Sequence, residues 1–351
     1  INIPIGIIAT LLTLRYVKSP KYGEKMSANQ VDWYGIITLA GFIGSLQYVL
    51  EHGQQDDWFN DGTIVTLSVI SFFSLFFFIW RQLTYEFPIV NLKVLKDTNL
   101  RVGTILSFIM GFGLYGSTFI IPIYTQSILG WTATDAGLLL IPSSLMTAFM
   151  MPIIGQLLQR GVPQKYLVAI GFLMFFFFTF WMYNIMTPDT GEEFMYWPLI
   201  IRGLGLGLLF VPITTLSLST LKGKSIGEGA AFTGMMRQLG GSFGIAIITT
   251  FIARFSQEHR VNLIGNIDAT KVQVQDRISQ LQHGFMAKGF SSNEALDKAH
   301  KIIDLSITKQ STVLAYMDIF LFLGILFLIC IPIILLIKNN KNKVNISEAM
   351  H

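Results

Sequence analysis

WPLIIRGLGLGLLFVPITTLSLST (residues 197–220) and GAAFTGMMRQLGGSFGIAIITTFIA (residues 229–253) are two long apolar runs separated only by LKGKSIGE (residues 221–228). Each is long enough to cross a hydrocarbon layer, which takes about 20 residues. Inside a bilayer every backbone N–H and C=O has to be satisfied within the segment, so each run is expected as a helix. Both runs place glycines four apart, Gly203 and Gly207 in the first, Gly240 and Gly244 in the second. That spacing lets helix backbones cross closely. The GLGLG run is no dinucleotide fingerprint, because no strand precedes it and it lies inside an apolar span.

Working outward, the same pattern recurs along the chain. Spans are expected at about 1–14, 34–50, 63–82, 100–121, 136–158, 165–186, 197–220, 229–253 and 313–337. The fold class that follows is all-α, a polytopic transmembrane helix bundle. Pro122, Pro142, Pro152, Pro198, Pro212 and Pro332 fall within or beside these spans, where neighbouring helices and water tolerate the freed carbonyls and kinks result. The run 1–14 is shorter than a full span and has no basic start, so it reads as the end of a span whose beginning lies upstream, not as a signal peptide.

Composition agrees with the bundle. Hydrophobic residues make up 52% of the chain and charged residues 13%, about half the usual charge of a soluble domain. The single cysteine, Cys330, lies in an apolar run and excludes disulfides and cysteine-based metal sites. The five histidines (His52, His259, His283, His300 and His351) lie in loops or the tail, with no pair at metal-ligand spacing. No phosphate-cradling loop and no nucleophile elbow is present, so no metal, no cofactor and no enzymatic activity are expected. The formal charge of +4 is the excess of the basic loops and does not point to nucleic acid.

The short loops alternate in charge. Segments 15–33, 83–101, 159–166, 221–228 and 338–351 together hold fourteen Lys or Arg, while 51–62, 122–134 and 187–196 hold none and carry seven Asp or Glu. Basic loops stay on the cytoplasmic side, so these and the C-terminal tail are expected there. The one long loop, 254–311, then faces outward. Val272, Val274, Ile278, Leu281 and Phe285 suggest an amphipathic helix within it, and Ser291 with Glu294 forms a capping-box start for a second helix running into the last span. It reads as a solvated hairpin or, functionally, as a docking surface or lid.

Ionisable residues inside spans are few. Arg237, near mid-membrane with Gln238 beside it, has to face the bundle interior or water, either bonded to backbone carbonyls or serving transport. Arg202, five residues inside its span, is expected either to snorkel outward or to line the pathway. Asp318 is either a hydrated helix-end charge or a proton carrier. Asp135 after Thr132 suits a helix cap. Tyr115, beside Gly111, Gly113 and Gly116, is a pathway-lining residue suited to flat lipophilic cations, whereas Tyr124 and Trp131 fit an interfacial aromatic belt.

PIIGQLLQRGVPQKYLVAIG (residues 152–171) resembles the second copy of the inter-helix loop motif of the major facilitator superfamily, with Gly155, Leu157, Arg160 and Lys165 matching in type and Gln159 where the family prefers Asp. INIPIGI (1–7), DWYGIITLAGFIGSLQYVLEHGQQDDWF (32–59), PIVNLKVLKDTN (88–99) and RQLGGSFGIAI (237–247) are similar to its fourteen-span drug:proton antiporter branch, the EmrB/QacA type. The resemblance implies that the nine spans are the last nine of fourteen. Residues 1–14 would end the N-terminal half. Residues 15–99 would hold a cytoplasmic linker and two extra helices, and 100–337 the six-helix C-terminal half with its outward loop 254–311. Residues 338–351 would be a cytoplasmic tail.

It also implies proton-coupled efflux of hydrophobic or cationic drugs by alternating access, with the coupling residues upstream of Ile1. The implied partners are a lipophilic small molecule, protons, membrane lipids, a periplasmic adaptor and an outer-membrane channel. Two other functions fit the same residues: export of an endogenous lipid, fatty acid or siderophore, or a non-transporting scaffold of the same fold.

Overall fold

The computed structural model describes residues 2–16, 32–85, 88, 90–267 and 271–335, and these are all-α, with no strand among the described residues. The tail 338–351 and most of the loop 15–33 lie outside them. In chain order the helices are α1 (Asn2–Tyr16), α2 (Trp33–His52), α3 (Gly62–Thr84), α4 (Thr98–Ser127), α5 (Ala133–Leu139), α6 (Ile141–Gln159), α7 (Gln164–Ile185), α8 (Glu192–Leu218), α9 (Lys224–Asn266), α10 (Val272–Met286) and α11 (Ser292–Leu335). Eight segments are long and apolar enough to cross a membrane, with α5 and α6 counted as one; α1 is a shorter apolar helix.

Local chemistry sets the ends. Asp61 caps α3 by accepting from Thr63 N at 2.7 Å and Ile64 N at 3.0 Å. Asp97 caps α4 by accepting from Leu100 N at 2.9 Å. Thr132 and Asp135 cap α5 reciprocally, so Asp135 is the cap its position suggested and also half of a capping box. The expected span 136–158 is interrupted at Leu140, where α5 stops and α6 restarts with Pro142 in its first turn. Proline has no N–H to continue an i→i−4 ladder, so the break sits where Pro142 requires it.

The loop 254–311 is more helical than its sequence suggests. α9 runs 43 residues, through Asn266, and α11 runs 44, so each is longer than twice the ~20 residues a bilayer needs. Residues 254–266 are polar but contain no proline, and a bundle neighbour is available: Arg260 Nη2 pairs with Asp304 Oδ1 at 2.6 Å, and Ser256 Oγ lies 3.1 Å from Thr312 Oγ1. The capping box at Ser291 and Glu294 forms, with Ser291 N donating to Glu294 Oε2 at 3.0 Å. α10 lies along α11 and closes an extramembrane hairpin.

The core lies among α4, α7, α8 and α11. Phe172, Phe175, Phe178, Phe320 and Phe327 are fully buried there, with Phe175 and Phe327 stacked at 4.2 Å between centroids. Gly113 of α4 makes room for the Phe327 ring, which would lie 2.2 Å from a Cβ at that position. Tyr124, expected in an interfacial belt, is instead buried in this core, its hydroxyl donating to Thr187 O at 2.6 Å. A phenol inside a bundle needs an acceptor, and the α7–α8 turn supplies one. α2 and α3 form a separate antiparallel pair whose α2 touches α9, and their outer faces are apolar and exposed as lipid-facing helices are.

Candidate functional site

Two glycine-lined crossings, α4 with α9 and α6 with α8, position the polar residues of the bundle. α9 lies against α4 because Gly240 faces Phe108 O and Gly244 faces Phe112 O, while Gly111 of α4 faces Arg237 O in return. A Cβ at Gly240 or Gly111 would fall 2.0 Å from the opposing carbonyl oxygen, so the crossing admits no side chain there. Gly241 lies under the Tyr115 ring. The run Arg237–Gly244 therefore does two things: it sets the helix spacing and aims Gln238 at α4 and Arg237 at α8.

On the face so formed, Tyr115 Oη donates to Gln238 Oε1 at 3.0 Å. The Arg237 guanidinium lies 4.4 Å from the centre of the Phe210 ring of α8, a cation–π distance. Gln238 and Thr118 are exposed on this wall and Tyr115 and Arg237 are half-buried, although all four lie at transmembrane depth. Exposed polar groups at that depth line a cavity or a second protein surface, because lipid does not hydrogen-bond them.

Arg202 does not snorkel outward. It is 4% exposed and ties three helices together. Its Nε donates to Ser117 Oγ at 2.9 Å and its Nη1 to Ser143 Oγ at 2.9 Å; its Nη2 donates to Leu114 O at 3.3 Å and to Thr118 Oγ1. The expectation of an outward-reaching side chain fails because four oxygens within the bundle satisfy the guanidinium, and no helix end offers as many. Gly203 and Gly207 explain how α8 comes near enough. Gly203 faces Ser143 O, Gly207 faces Met150 of α6, and Thr147 Oγ1 donates to Gly203 O at 3.0 Å.

Asp318 stands apart from this wall. Its Oδ2 lies 2.7 Å from His259 Nε2, at the base of the extramembrane hairpin, and both side chains are part-exposed. The Gly155–Lys165 loop forms a compact turn at the opposite end of the bundle. Gly161 adopts φ +87°, and Val162 N donates to Leu157 O at 3.1 Å while Gly161 N donates to Leu158 O at 3.0 Å. This is a Schellman ending, and Leu157 and Val162 both pack on the small cluster of Ile154, Leu167 and Leu208. Arg160 is exposed, Lys165 Nζ lies 5.3 Å from the Tyr166 ring, and Gly155 has open space around its Cα.

The structure thus brings Tyr115, Gln238 and Arg237 together and places Arg202 one helix away through Thr118. Asp318 and the turn residues lie at opposite ends. Sequence reasoning did not single out Phe210, Ser117, Thr118 or Ser143 as partners. Ser117 and Thr118 follow directly on the glycine-rich GFGLYG run of α4, whereas Phe210 carries no local signal. Among the described residues no three His, Cys, Asp or Glu come together as a metal site.

A sequence profile of the Major Facilitator Superfamily matches residues 1–245. The fatty acid resistance protein FarB of Neisseria gonorrhoeae is 31% identical over 340 residues, covering 96% of this chain and 64% of its own length. Multidrug export protein EmrB of Escherichia coli (strain K12) is 27% identical over 334 residues, covering 95% of this chain and 63% of its own. Multidrug resistance protein 3 of Bacillus subtilis (strain 168) is 31% identical over 258 residues, 71% of this chain and 48% of its own. The chain therefore spans just under two thirds of the length of the first two relatives, 64% and 63%.

Proposed function

The chain belongs to the major facilitator superfamily, and we propose that it is the larger part of a proton-coupled exporter that moves lipophilic small molecules, hydrophobic or cationic, out of a bacterial cell across the inner membrane by alternating access. The observation that carries this reading is the polar wall on α4 and α9. Tyr115, Thr118, Arg237 and Gln238 meet at transmembrane depth on a face that lipid would not satisfy. The names of the relatives support export of drugs or fatty acids. In this reading residues 100–337 are the C-terminal half, α2 and α3 the extra pair, and the basic loops and C-terminal tail cytoplasmic. The coupling carboxylates lie in the N-terminal half, and an adaptor and outer-membrane channel receive the cargo.

A second reading concerns the cargo. Between the ends of the α4–α11 bundle the described interior holds Arg202 and Arg237 and no carboxylate at their depth, with Glu228 and Asp318 near opposite ends. A wall carrying Arg237, with Arg202 buried behind it, repels a lipophilic cation and attracts an amphiphile with a carboxylate head. The chemistry favours fatty-acid-like anions over the cations that Tyr115 alone suggests.

The test uses the complete protein as the cell makes it, expressed in a strain lacking its own exporters. Arg237→Ala is expected to raise sensitivity to exported compounds while the protein still accumulates in the membrane. Survival against a long-chain fatty acid and against a cationic dye then separates the two cargoes. Unchanged resistance to both with normal accumulation removes Arg237 from the pathway, and failure to accumulate makes it structural.

A further inference from the structure

The polar face on α4 and α9 has a definite hydrogen-bond polarity. Arg237 forms no side-chain hydrogen bond and no ion pair among the described residues. The Phe210 ring, 4.4 Å from its guanidinium carbon, holds the cation from one side and uses none of its N–H donors. Gln238 follows it in the chain. Its Oε1 accepts from Tyr115 Oη, and its Nε2, on the other arm of the amide, has no partner among the described residues although the side chain is exposed. The Thr118 hydroxyl gives its proton to Leu114 O at 2.7 Å and accepts from Arg202 behind it. The strongest side-chain acceptor on the face, the amide oxygen, is thus engaged, and the strong groups left free are donors.

The amide is held this way round by Tyr115, and the backbone fixes where Tyr115 sits. A Cβ at Gly241 would fall 2.3 Å from Tyr115 Cδ2, so the phenol rests on bare helix and its hydroxyl meets Gln238 one turn back along α9. The bond is not needed to hold the two helices together. Their crossing is already set by Gly111, Gly240 and Gly244 against opposing backbone, and one neutral hydrogen bond at an exposed edge adds little to it. Arg237 leans towards α8 and Gln238 towards α4, about 100° apart around α9, so they flank one strip of the helix. A carboxylate lying on that strip offers one oxygen to the guanidinium and the other to the amide N–H, and charge-assisted bonds of this kind are the strong ones. An ammonium there meets a cation and the donor arm of an amide.

We infer that Tyr115 is a specificity-determining residue: by engaging Gln238 Oε1 it turns the amide N–H groups, with the unpaired Arg237 guanidinium, towards the cargo and makes the wall a receptor for a carboxylate head. Tyr115 acts through Gln238 and is a positioning residue, not a stacking surface for flat cations. Without its hydroxyl the amide rotates freely and presents its oxygen as readily as its N–H groups, so the wall accepts an ammonium head more readily and a carboxylate less. The inference rests on the exporter reading above and adds to it which residue sets the charge preference of the cargo.

The experiment measures equilibrium binding of three amphiphiles with the same tail, laurate, dodecanol and dodecylammonium, to the complete protein in lipid nanodiscs. Empty nanodiscs correct for partition into lipid, and a mildly alkaline pH keeps the laurate ionised. Wild type is expected to bind laurate most tightly and dodecylammonium least. Tyr115→Phe is expected to narrow the ratio of laurate to dodecylammonium affinity by roughly three- to tenfold, the range of one hydrogen bond. Arg237→Ala is expected to abolish the preference for laurate over dodecanol. In a Gln238→Ala background Tyr115→Phe is expected to change the ratio no further, because the amide it orients is gone. A wild-type ratio in Tyr115→Phe overturns the inference, and so does an effect of equal size with and without Gln238. Equal weakening of all three amphiphiles in Tyr115→Phe marks a structural role and overturns it too. A wild-type protein that prefers dodecylammonium overturns this inference alone, whereas one that binds none of the three overturns the exporter reading and this inference with it.

Discussion

Replacing Gly240 with alanine is the sharpest probe of how the bundle is built. A Cβ at that position would lie 2.0 Å from Phe108 O and 2.8 Å from Phe108 C. Ordinary contact begins near 3.4 Å, so α4 and α9 have to part locally by roughly 1.4 Å (3.4 − 2.0), a large step for a close-packed interior. The opposing atom is a helix carbonyl and has no rotamer by which to move away. Overpacking of this kind costs about 1–3 kcal/mol, against which alanine's better helix propensity returns at most about 1 kcal/mol. With so short an approach the balance is expected at about 1–2 kcal/mol of destabilisation. The same parting carries Tyr115 Oη and Gln238 Oε1, now 3.0 Å apart, beyond hydrogen-bond reach. The readout is thermal unfolding in detergent, followed by a thiol-reactive dye. Cys330 is the single cysteine of the sequence and is 3% exposed, so it reports opening of the core around α11. Gly240→Ala is expected to lower the midpoint by a few degrees, on the order of 2–6 °C. Gly137→Ala, whose Cβ meets nothing within 4 Å, is expected to leave it unchanged or raise it slightly. A Gly240→Ala protein as stable as wild type would refute the close crossing of α4 and α9.

Arg202→Lys is expected to reduce the yield of folded, monodisperse protein on size exclusion, because one ammonium cannot reach Ser117, Ser143, Thr118 and Leu114 O together; wild-type yield and melting would mean the network contributes little. Asp61 is held below the usual carboxylate range by the backbone N–H groups of Ile64 and Thr63. Its cap is therefore fully in place above the ordinary value of 3.8 and is lost as the pH falls through the lower folded-state value. Hydrogen exchange at the first turn of α3 is expected to accelerate only in that acid range, and Asp61→Asn to remove the dependence; acceleration at neutral pH would contradict the cap.

Much of the bundle was legible because a bilayer leaves few options. The runs 63–82 and 165–186 differ from α3 and α7 by two residues or fewer at each end, since apolar length and backbone satisfaction decide them. The ends of α9 and α11 were not, because residues 254–266 and 292–312 are helical through side-chain pairing outside the membrane, such as Arg260 with Asp304, which hydropathy does not register. The break at Leu140 was signalled by Pro142 but read only as a kink. At the site, the glycine spacing in 237–244 pointed to a close crossing without naming α4 as the partner. Arg202 was misplaced for a plain reason: its four acceptors sit 59 to 88 residues away in sequence, and a single helix viewed alone offers it only the water at its end.

The central claim, proton-coupled export, is tested most directly in everted membrane vesicles holding the complete protein, with lumenal pH and a fluorescent lipophilic cargo followed together. Acidifying the lumen is predicted to drive cargo uptake, and adding cargo to pre-acidified vesicles is predicted to raise lumenal pH, with an uncoupler abolishing both. Cargo accumulation that an uncoupler leaves untouched, or cargo that enters with no movement of protons, would contradict it.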